Sequence, residues 1–333
     1  DPKGRTVTDP VVLQRIKELV IPPAWDDVWI CEPANGHIQA VGTDDAGRRQ
    51  YLYHTAWREQ RDQLKHDRIL VVARRLAKAR DRADLDLERS GMPRERALAT
   101  AFRLLDLGFF RVGGESYVEA NGSYGLATLL RRHVRIERGD LVFSYVAKSG
   151  KHRRLILSDP PSVRAVRTML RRRGGGQELL AYQDGRRWRD VTSSDINGYV
   201  KELIGGDCSA KDFRTWHATV LAAVILAESA DSGATQTARK RAVSRAMAEV
   251  SEYLGNTPTI ARKSYVDPRV IDLFEDGVTI QSALARVVKR GDVAAADVPA
   301  AEHDELPETH GDIERAVLRM LKQAPKASGR SAR

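Results

Sequence analysis

Two different spacings of apolar residues divide the chain into two parts. Between residues 28 and 53 the apolar positions come in short runs, separated by the turn signals Asn35-Gly36 and Asp44-Asp45-Ala46-Gly47. This pattern is typical of a small antiparallel sheet. The predicted strands are 28–31, 38–42 and 50–53, and a helix is predicted over 55–77. We therefore expect the N-terminal part to be β-rich.

From about residue 85 the helical period dominates. Leu98, Ala101, Leu104 and Leu105 predict a helix over 93–107. The predicted strands 132–136, 141–147 and 153–157 follow, and then helices over 160–173, 194–205, 212–228, 236–254 and 267–275. The predicted fold class is α+β, with a small β-rich N-terminal lobe and a larger, mainly helical lobe that holds a three-stranded antiparallel sheet.

The chain changes character again near its C-terminal end. The segment from Gly291 to Glu314 has eight acidic residues and no Lys or Arg, and apolar residues at helical spacing follow it. We expect an acidic linker, a short amphipathic helix and a frayed end. His303 and His310 are expected in a solvated spacer rather than in a metal site. The predicted domains are 1–80, 81–290 and 291–333.

Composition excludes several classes of protein. The chain has 333 residues, of which 42% are hydrophobic, so it has enough apolar material for real cores. It has no apolar run of about 18 residues, so we expect no membrane span. Its two cysteines, Cys31 and Cys208, are far apart, which argues against a disulfide scaffold or a zinc ribbon. The start of the chain has no signal-peptide pattern.

The net charge of +10 suggests a polyanionic partner. Residues 291–333 hold eight acidic and six basic residues, so the first 290 residues carry a net charge of +12. The 42 arginines outnumber the 13 lysines, and arginine suits bidentate contacts with phosphate. A codon preference for arginine would give the same ratio, so the ratio by itself decides nothing.

The chain lacks the common nucleotide and metal motifs. It has no G-x-x-x-x-G-K-[ST], no G-x-G-x-x-G and no H-E-x-x-H, so no nucleotide cofactor and no metal are expected. Instead, Arg111 follows Gly108-Phe109-Phe110, and Lys148 lies at a hairpin tip. Arg214 lies in Lys211-Asp-Phe-Arg214, and Tyr265 follows Gly255-Asn256-Thr257-Pro258 and Arg262-Lys263-Ser264. Taken singly, each is more typical of an ordinary structural role.

Taken in order, these residues resemble the poxvirus-like bacterial type IB DNA topoisomerases. The resemblance extends to the N-terminal part, where Gly42 to Tyr53 looks like the DNA-contacting strand of that family. Ile21-Pro-Pro-Ala-Trp25 and Gly36-His-Ile-Gln-Ala40 also match its bacterial members. The likeness covers residues 5 to 275 and leaves out the tail.

The resemblance implies a role for each residue of the set. Tyr265 attacks a DNA phosphate, Arg111 and Arg214 hold its non-bridging oxygens, and Lys148 protonates the leaving 5′-oxygen. The product is a 3′-phosphotyrosyl bond, and religation reverses the step. This chemistry needs neither ATP nor a metal, because the phosphotyrosine keeps the bond energy. Asn256 stands where the family often has histidine, and its amide can donate the same hydrogen bond to phosphate.

The resemblance also implies a set of DNA contacts. They are Gln50, Tyr51 and Tyr53, with Arg48, Arg49, Tyr117, Lys211 and Arg262. Strand alternation places Tyr51 and Tyr53 on one face and Gln50 on the other. All three can touch DNA if the strand edge faces the groove. The alternative is that one of the tyrosines packs in the sheet.

The expected partner is duplex DNA, around which the two lobes close as a clamp. We expect a monomer on DNA, located with the nucleoid in a bacterial cytoplasm, with no membrane contact. Two alternatives stay open. A tyrosine site-specific recombinase shares the catalytic fold, but such enzymes usually carry His-x-x-Arg where this chain has Lys211-Asp-Phe-Arg214. A non-catalytic basic protein would retain DNA without forming a covalent adduct.

Overall fold

The short N-terminal runs form the predicted sheet. In the computed structural model, β1 (Asp26–Ile30), β2 (Ile38–Thr43) and β3 (Arg49–Tyr53) pair antiparallel in that order. Gly42 of β2 lies against Trp25, and a Cβ there would be 2.7 Å from the indole ring. A helix that the sequence did not predict, α1 (Pro10–Glu18), precedes the sheet; Asp9 caps it by accepting from the Val11 N–H at 2.8 Å.

The structure describes residues 4–114, 118, 122–229, 235–289 and 310–323. The chain divides into two compact units, Asp1–Arg68 and Ile69–Arg333. The division falls inside the long helix α2 (Thr55–Leu87), as does the predicted boundary at residue 80, which stays a prediction.

Helix α2 continues ten residues beyond its predicted end at residue 77, so that end was wrong. Ala79, Ala83 and Leu87 are buried in this extra segment, at the spacing of one helical face. The small alanines stand among charged residues, and the apolar face was therefore weak in the sequence.

The larger unit is mainly helical. Its sheet consists of β4 (Val134–Glu137), β5 (Asp140–Val146) and β6 (His152–Leu157), paired antiparallel in that order and close to the predicted strands. Its helices are α3 (Arg94–Gly108), α4 (Pro160–Arg171), α5 (Ser193–Ile204), α6 (Ala210–Glu228), α7 (Gln236–Leu254), α8 (Pro258–Ser264), α9 (Pro268–Glu275), α10 (Gln281–Lys289) and α11 (Asp312–Gln323). The predicted class, a mixed α+β fold with small antiparallel sheets, is confirmed.

Helix α6 is the centre of this unit, because its residues are buried on every side from Asp212 to Ala227. A helix that is buried on every side lies inside a large core. Any polar side chain on α6 is therefore held in one place by its neighbours. Arg214 lies one turn into this helix.

The tail differs in part from its expected character. The amphipathic helix is confirmed as α11, which buries Ile313, Val317 and Leu321 in the core of the larger unit. The expectation of a solvated spacer is wrong for His310 and Glu314, which lie largely buried beside other charged groups. Within the described ranges, no helix is both long and apolar enough to cross a membrane.

Candidate active site

Arg111 follows a helix end with unusual backbone geometry. Helix α3 stops at Gly108, and Phe109 takes a left-handed conformation with φ of 52°. Beyond Arg111 the chain packs backbone to backbone, because a Cβ on Gly125 would lie 2.5 Å from the Cα of Gly113. The carbonyl oxygen of Arg111 accepts from the Leu126 N–H at 2.8 Å. Only glycine fits this close approach, because a Cβ on Gly113 would lie 2.8 Å from the Cα of Gly125.

Backbone carbonyl groups at two helix ends bind the Arg214 guanidinium. The side chain is 2% exposed, and its guanidinium donates to the carbonyl oxygens of Phe109 and, at 2.7 Å, Leu254. These carbonyls end α3 and α7, where the helix dipole favours a positive charge. The Nε atom is buried without a hydrogen-bond partner among the described residues. The guanidinium is thus fixed in position before any substrate arrives.

Asn256 lies in the joint between α7 and α8, and local chemistry explains the joint. Gly255 ends α7 in the left-handed region with φ of 60°, Thr257 caps α8 and Pro258 begins it. The Asn256 side-chain oxygen accepts from Arg111 Nη2 at 2.5 Å. Its Nδ2 atom is buried and makes no hydrogen bond within the described part of the chain. The amide therefore orients Arg111 and keeps a donor for another group.

Tyr265 stands at the C-terminal end of α8. The hydroxyl of Thr219, on α6, donates to the Tyr265 carbonyl oxygen at 3.3 Å. The Cζ atom of Arg214 lies 5.3 Å from the centre of the phenol ring. Tyr265, Arg214, Arg111 and Asn256 therefore form one group, in which Arg214 faces the tyrosine and Asn256 joins Arg111 to the α7–α8 joint.

The charges in this group favour an ionised tyrosine. Burial raises the pKa of Tyr265, but the charge and hydrogen bond of Arg214, with the charges of Arg111 and Lys211, outweigh it and lower that pKa. Burial and the neighbouring Arg111 lower the pKa of Arg214, against the opposing effect of Tyr265. The positive charges of Arg111 and Arg214 lie close together near the Tyr265 phenol, so the site favours binding of an anion such as phosphate.

Lys148 is exposed. It begins a tight turn, Lys148–Gly150, between β5 and β6, in which Ser149 has φ of 68°. Within the described residues its amine makes no hydrogen bond or ion pair. The neighbouring Lys151 instead donates to the Asn256 carbonyl oxygen at 3.3 Å, so the hairpin lies next to the α7–α8 joint.

Two basic residues near the site were missed by sequence reasoning. Lys151 contacts the joint, and Arg153 of β6 donates to the Gly108 carbonyl oxygen at 3.0 Å, at the end of α3. The signal was the dense basic run Lys151 to Arg154, which a strand with one buried face does not require. Arg153 stabilises the same helix end that holds Arg214.

The remaining predicted contacts of the larger unit are spread around the site. Lys211 is exposed on the first turn of α6, close enough for its charge to act on Tyr265. Arg262 is exposed on α8, three residues before Tyr265. Tyr117 lies outside the described residues.

In the smaller unit, β3 follows the predicted alternation. Tyr51 and Tyr53 are 47% and 37% exposed and stack with ring centres 6.2 Å apart, so neither is buried in the sheet. The Gln50 amide faces the other way and donates to Asp44 Oδ2 at 2.8 Å. Arg48 donates to the same carboxylate, and its hydrogen bonds lower the pKa of Asp44 to about 2. Arg49 is exposed and forms a surface ion pair with Asp27 at 3.3 Å.

Known proteins share both units of this chain. Residues 54–287 match the family described as "Eukaryotic DNA topoisomerase I, catalytic core", and residues 1–44 match "Bacterial DNA topoisomerase IB, N-terminal domain". DNA topoisomerase 1B of Acanthamoeba polyphaga mimivirus is 26% identical over 269 residues, which cover 79% of this chain and 80% of that protein. DNA topoisomerase I of monkeypox virus and DNA topoisomerase 1B of vaccinia virus (strain Copenhagen) are each 22% identical, covering 80% of this chain and 82% of theirs.

The match over residues 54–287 shows that the chain belongs to the DNA topoisomerase I family. The predicted resemblance and the predicted enzyme class, a type IB DNA topoisomerase, are confirmed by this match together with that of the N-terminal residues. The recombinase alternative loses its support, because both matched families are topoisomerases.

Proposed function

We propose that the chain relaxes supercoiled duplex DNA by cutting one strand transiently through a 3′-phosphotyrosyl bond at Tyr265. The observation that carries the proposal is the position of the Arg214 guanidinium, 5.3 Å from the centre of the Tyr265 ring. A phenol is a poor nucleophile until it is ionised, and this neighbour lowers its pKa.

The two arginines act on the phosphate. Arg111 and Arg214 bind its non-bridging oxygens and stabilise the extra negative charge of the pentacoordinate transition state. The Asn256 amide donates a further hydrogen bond from Nδ2, the atom that has no partner among the described residues. The phenolate oxygen of Tyr265 forms the new bond to phosphorus as the bond to the 5′-oxygen breaks.

The leaving 5′-oxygen needs a proton, and we assign its delivery to Lys148. The exposed turn at the tip of the β5–β6 hairpin can fold over bound DNA, which brings the amine to the scissile bond. On religation the 5′-hydroxyl returns its proton to Lys148, attacks phosphorus and releases Tyr265. The number of bonds is conserved throughout, so the cycle requires no ATP.

We assign DNA binding to both units, which would close on the duplex as a clamp. In the smaller unit Tyr51, Tyr53 and Arg49 offer an exposed aromatic and basic surface. Gln50 and Arg48, which donate to Asp44, complete the proposed contacts of this strand. In the larger unit the contacts are Lys211 and Arg262, with Tyr117. The enzyme would act as a monomer on bacterial chromosomal DNA in the cytoplasm.

Relaxation of plasmid DNA in EDTA without ATP tests the proposal. The chain should relax positive and negative supercoils, whereas Tyr265→Phe should bind the plasmid with normal affinity and form no covalent adduct. Gel electrophoresis of denatured complexes detects the adduct. Relaxation by Tyr265→Phe would show that another group is the nucleophile, and binding without relaxation by the unaltered chain would favour the non-catalytic alternative.

A further inference from the structure

A buried ionic cluster joins the C-terminal helix α11 to the helices that carry the site. Arg80 of α2 donates to both oxygens of Asp106 on α3, at 2.7 and 2.9 Å. It also donates to both oxygens of Glu314 on α11, at 2.5 and 2.9 Å. The side chains of Arg80, Asp106 and Glu314 are 12%, 0% and 9% exposed. Ion pairs in which both carboxylate oxygens accept from one guanidinium fix both the distance between the side chains and their relative orientation.

The cluster also reaches α6 directly. The indole N–H of Trp216 donates to Glu314 Oε1 at 2.7 Å. His217 Nε2 lies 3.3 Å from Asp106 Oδ1, and both groups are fully buried. Trp216 and His217 follow Arg214 by two and three residues on the same rigid helix. Glu314 therefore contacts the turn of α6 that carries the guanidinium.

A second line of contacts runs through the end of α3. The His217 ring packs on the Phe109 ring with centres 5.5 Å apart. The Phe109 carbonyl oxygen accepts from Arg214, and Phe109 is the residue with the left-handed backbone. A left-handed conformation costs a bulky residue energy, so its neighbours must hold it in place. The Asp106 side chain, which Arg80 holds, lies 3.3 Å from the Nε2 atom of the same His217 ring.

From these contacts we infer that α11 is a positioning element of the active site and that Glu314 is its positioning residue. Glu314 binds Arg80 of α2 and Trp216 of α6, and Arg80 in turn binds Asp106 of α3. These contacts fix the position of α6 and so hold the Arg214 guanidinium next to Tyr265. The inference rests on the proposed role of Arg214 in phosphate binding. The family match over residues 54–287 ends before this helix begins.

The same cluster has the spacing of a metal site, but its charges argue against one. Asp106, His217 and His310 place one ligand atom each within 4.8 Å of one another. Both oxygens of Asp106 already accept from Arg80, however. A dication would lie beside that buried guanidinium, and the repulsion would oppose binding. The cluster fits an ionic joint between helices better.

A double-mutant cycle tests whether Glu314 acts through Arg214. Glu314→Gln keeps the size of the side chain and an acceptor for Trp216, but it loses the charge that holds Arg80. We expect single-turnover cleavage of a short duplex to slow by roughly 10-fold or more, as small misplacements of a reacting group do. In an Arg214→Ala background the same change should slow cleavage less than about 2-fold, because coupled residues are not additive.

Matched variants separate positioning from folding. Trp216→Phe removes the donor to Glu314 and keeps an aromatic ring, and it should show the same non-additivity. Arg319→Gln changes an exposed residue of α11 and should cleave at the normal rate. Duplex affinity should stay normal in all of them, and thermal unfolding checks that each is folded at the assay temperature.

Two results would overturn the inference: a normal cleavage rate for Glu314→Gln and Trp216→Phe, or an equal slowing in both backgrounds. A normal rate for Arg214→Ala alone would overturn the proposed mechanism instead.

Discussion

Asn256 shows how one amide can serve two parts of the site. Its oxygen accepts from Arg111, and its nitrogen is buried without a partner among the described residues. A buried donor without a partner costs free energy, so we expect a bound ligand to satisfy it. An imidazole at this position could also carry a positive charge, whereas the amide supplies a hydrogen bond alone.

Substitutions of Asn256 should separate these effects. A hydrogen bond to a charged group contributes about 1.5–3 kcal/mol, so Asn256→Ala should slow single-turnover cleavage by roughly 10- to 100-fold with DNA affinity nearly unchanged. Asn256→His keeps a donor and should retain much of the activity. Asn256→Asp should be slower than Asn256→Ala, because one carboxylate oxygen would face the phosphate. A normal rate for Asn256→Asp would show that the side chain points elsewhere.

The residues that the sequence revealed are those with local signals. Asn256 was found through the short motif Gly255-Asn256-Thr257-Pro258 and its order among the other motifs, whereas the helix α8 that follows it was not predicted. Glu314 had no such signal, because its partners Arg80 and Trp216 are 234 and 98 residues away. An acidic residue in an acidic segment is expected to face solvent, because the basic residue that pairs with it lies far away in the sequence.

At the scale of elements, the site is built where helices end. The C-terminal carbonyls of α3 and α7 hold Arg214, and the end of α8 presents Tyr265. The long amphipathic helices were predictable from their period. The short α8 was not, because seven residues make too few turns to show a face. The hairpin of β7 (Ala181–Asp184) and β8 (Arg187–Asp190) was missed although Asp184-Gly185 is a recognised turn signal.

The packing of α11 should depend on pH through His310. Burial lowers the pKa of His310 below its ordinary 6.5, with Arg80 and His217 acting in the same direction and Asp106 and Glu314 against it. The neutral ring is therefore the form that fits. This contribution to stability is present above pH 6.5 and is lost as the pH falls through the lower pKa of the packed ring.

Hydrogen exchange can measure this effect. After correction for the intrinsic exchange rate, the amides of 312–323 should be less protected at pH 5.5 than at pH 7.5. The pKa values of Asp106 and Glu314 are lowered, so both carboxylates stay charged over this range. His310→Gln should remove most of the pH dependence. Equal protection of the unaltered chain at both pH values would contradict the assignment.

At the scale of the whole molecule, charge and surface chemistry are distributed unevenly. The first 290 residues carry a net charge of +12, whereas residues 291–333 carry −2. In the smaller unit the exposed rings of Tyr51 and Tyr53 continue onto Trp57, which stacks on Tyr53 with centres 4.5 Å apart. Arg61 lies over Trp57 at 5.2 Å. Such a surface suits a sugar–phosphate backbone better than a protein core.

The salt dependence of DNA binding should report how many phosphates the smaller unit binds. Each phosphate bound by a basic side chain adds about 0.9 to the slope of log K against log salt concentration. Replacing Arg48 and Arg49 together by Gln should therefore reduce the slope by about 0.9 for each phosphate that the two arginines bind. Lys17→Gln, an exposed change on α1, serves as the control and should leave the slope unaltered. An unchanged slope for the double variant would mean that this strand does not touch phosphate.

The packing of α11 against the core also has a consequence for the folding of the enzyme during its synthesis on the ribosome. Residues 312–321 complete the core around α6, yet they follow Tyr265 by almost fifty positions in the chain. A growing chain folds from its N-terminus, so the nucleophile and both arginines leave the ribosome before the helix that we infer to position Arg214. We expect the nascent chain to meet DNA without yet being able to cut it.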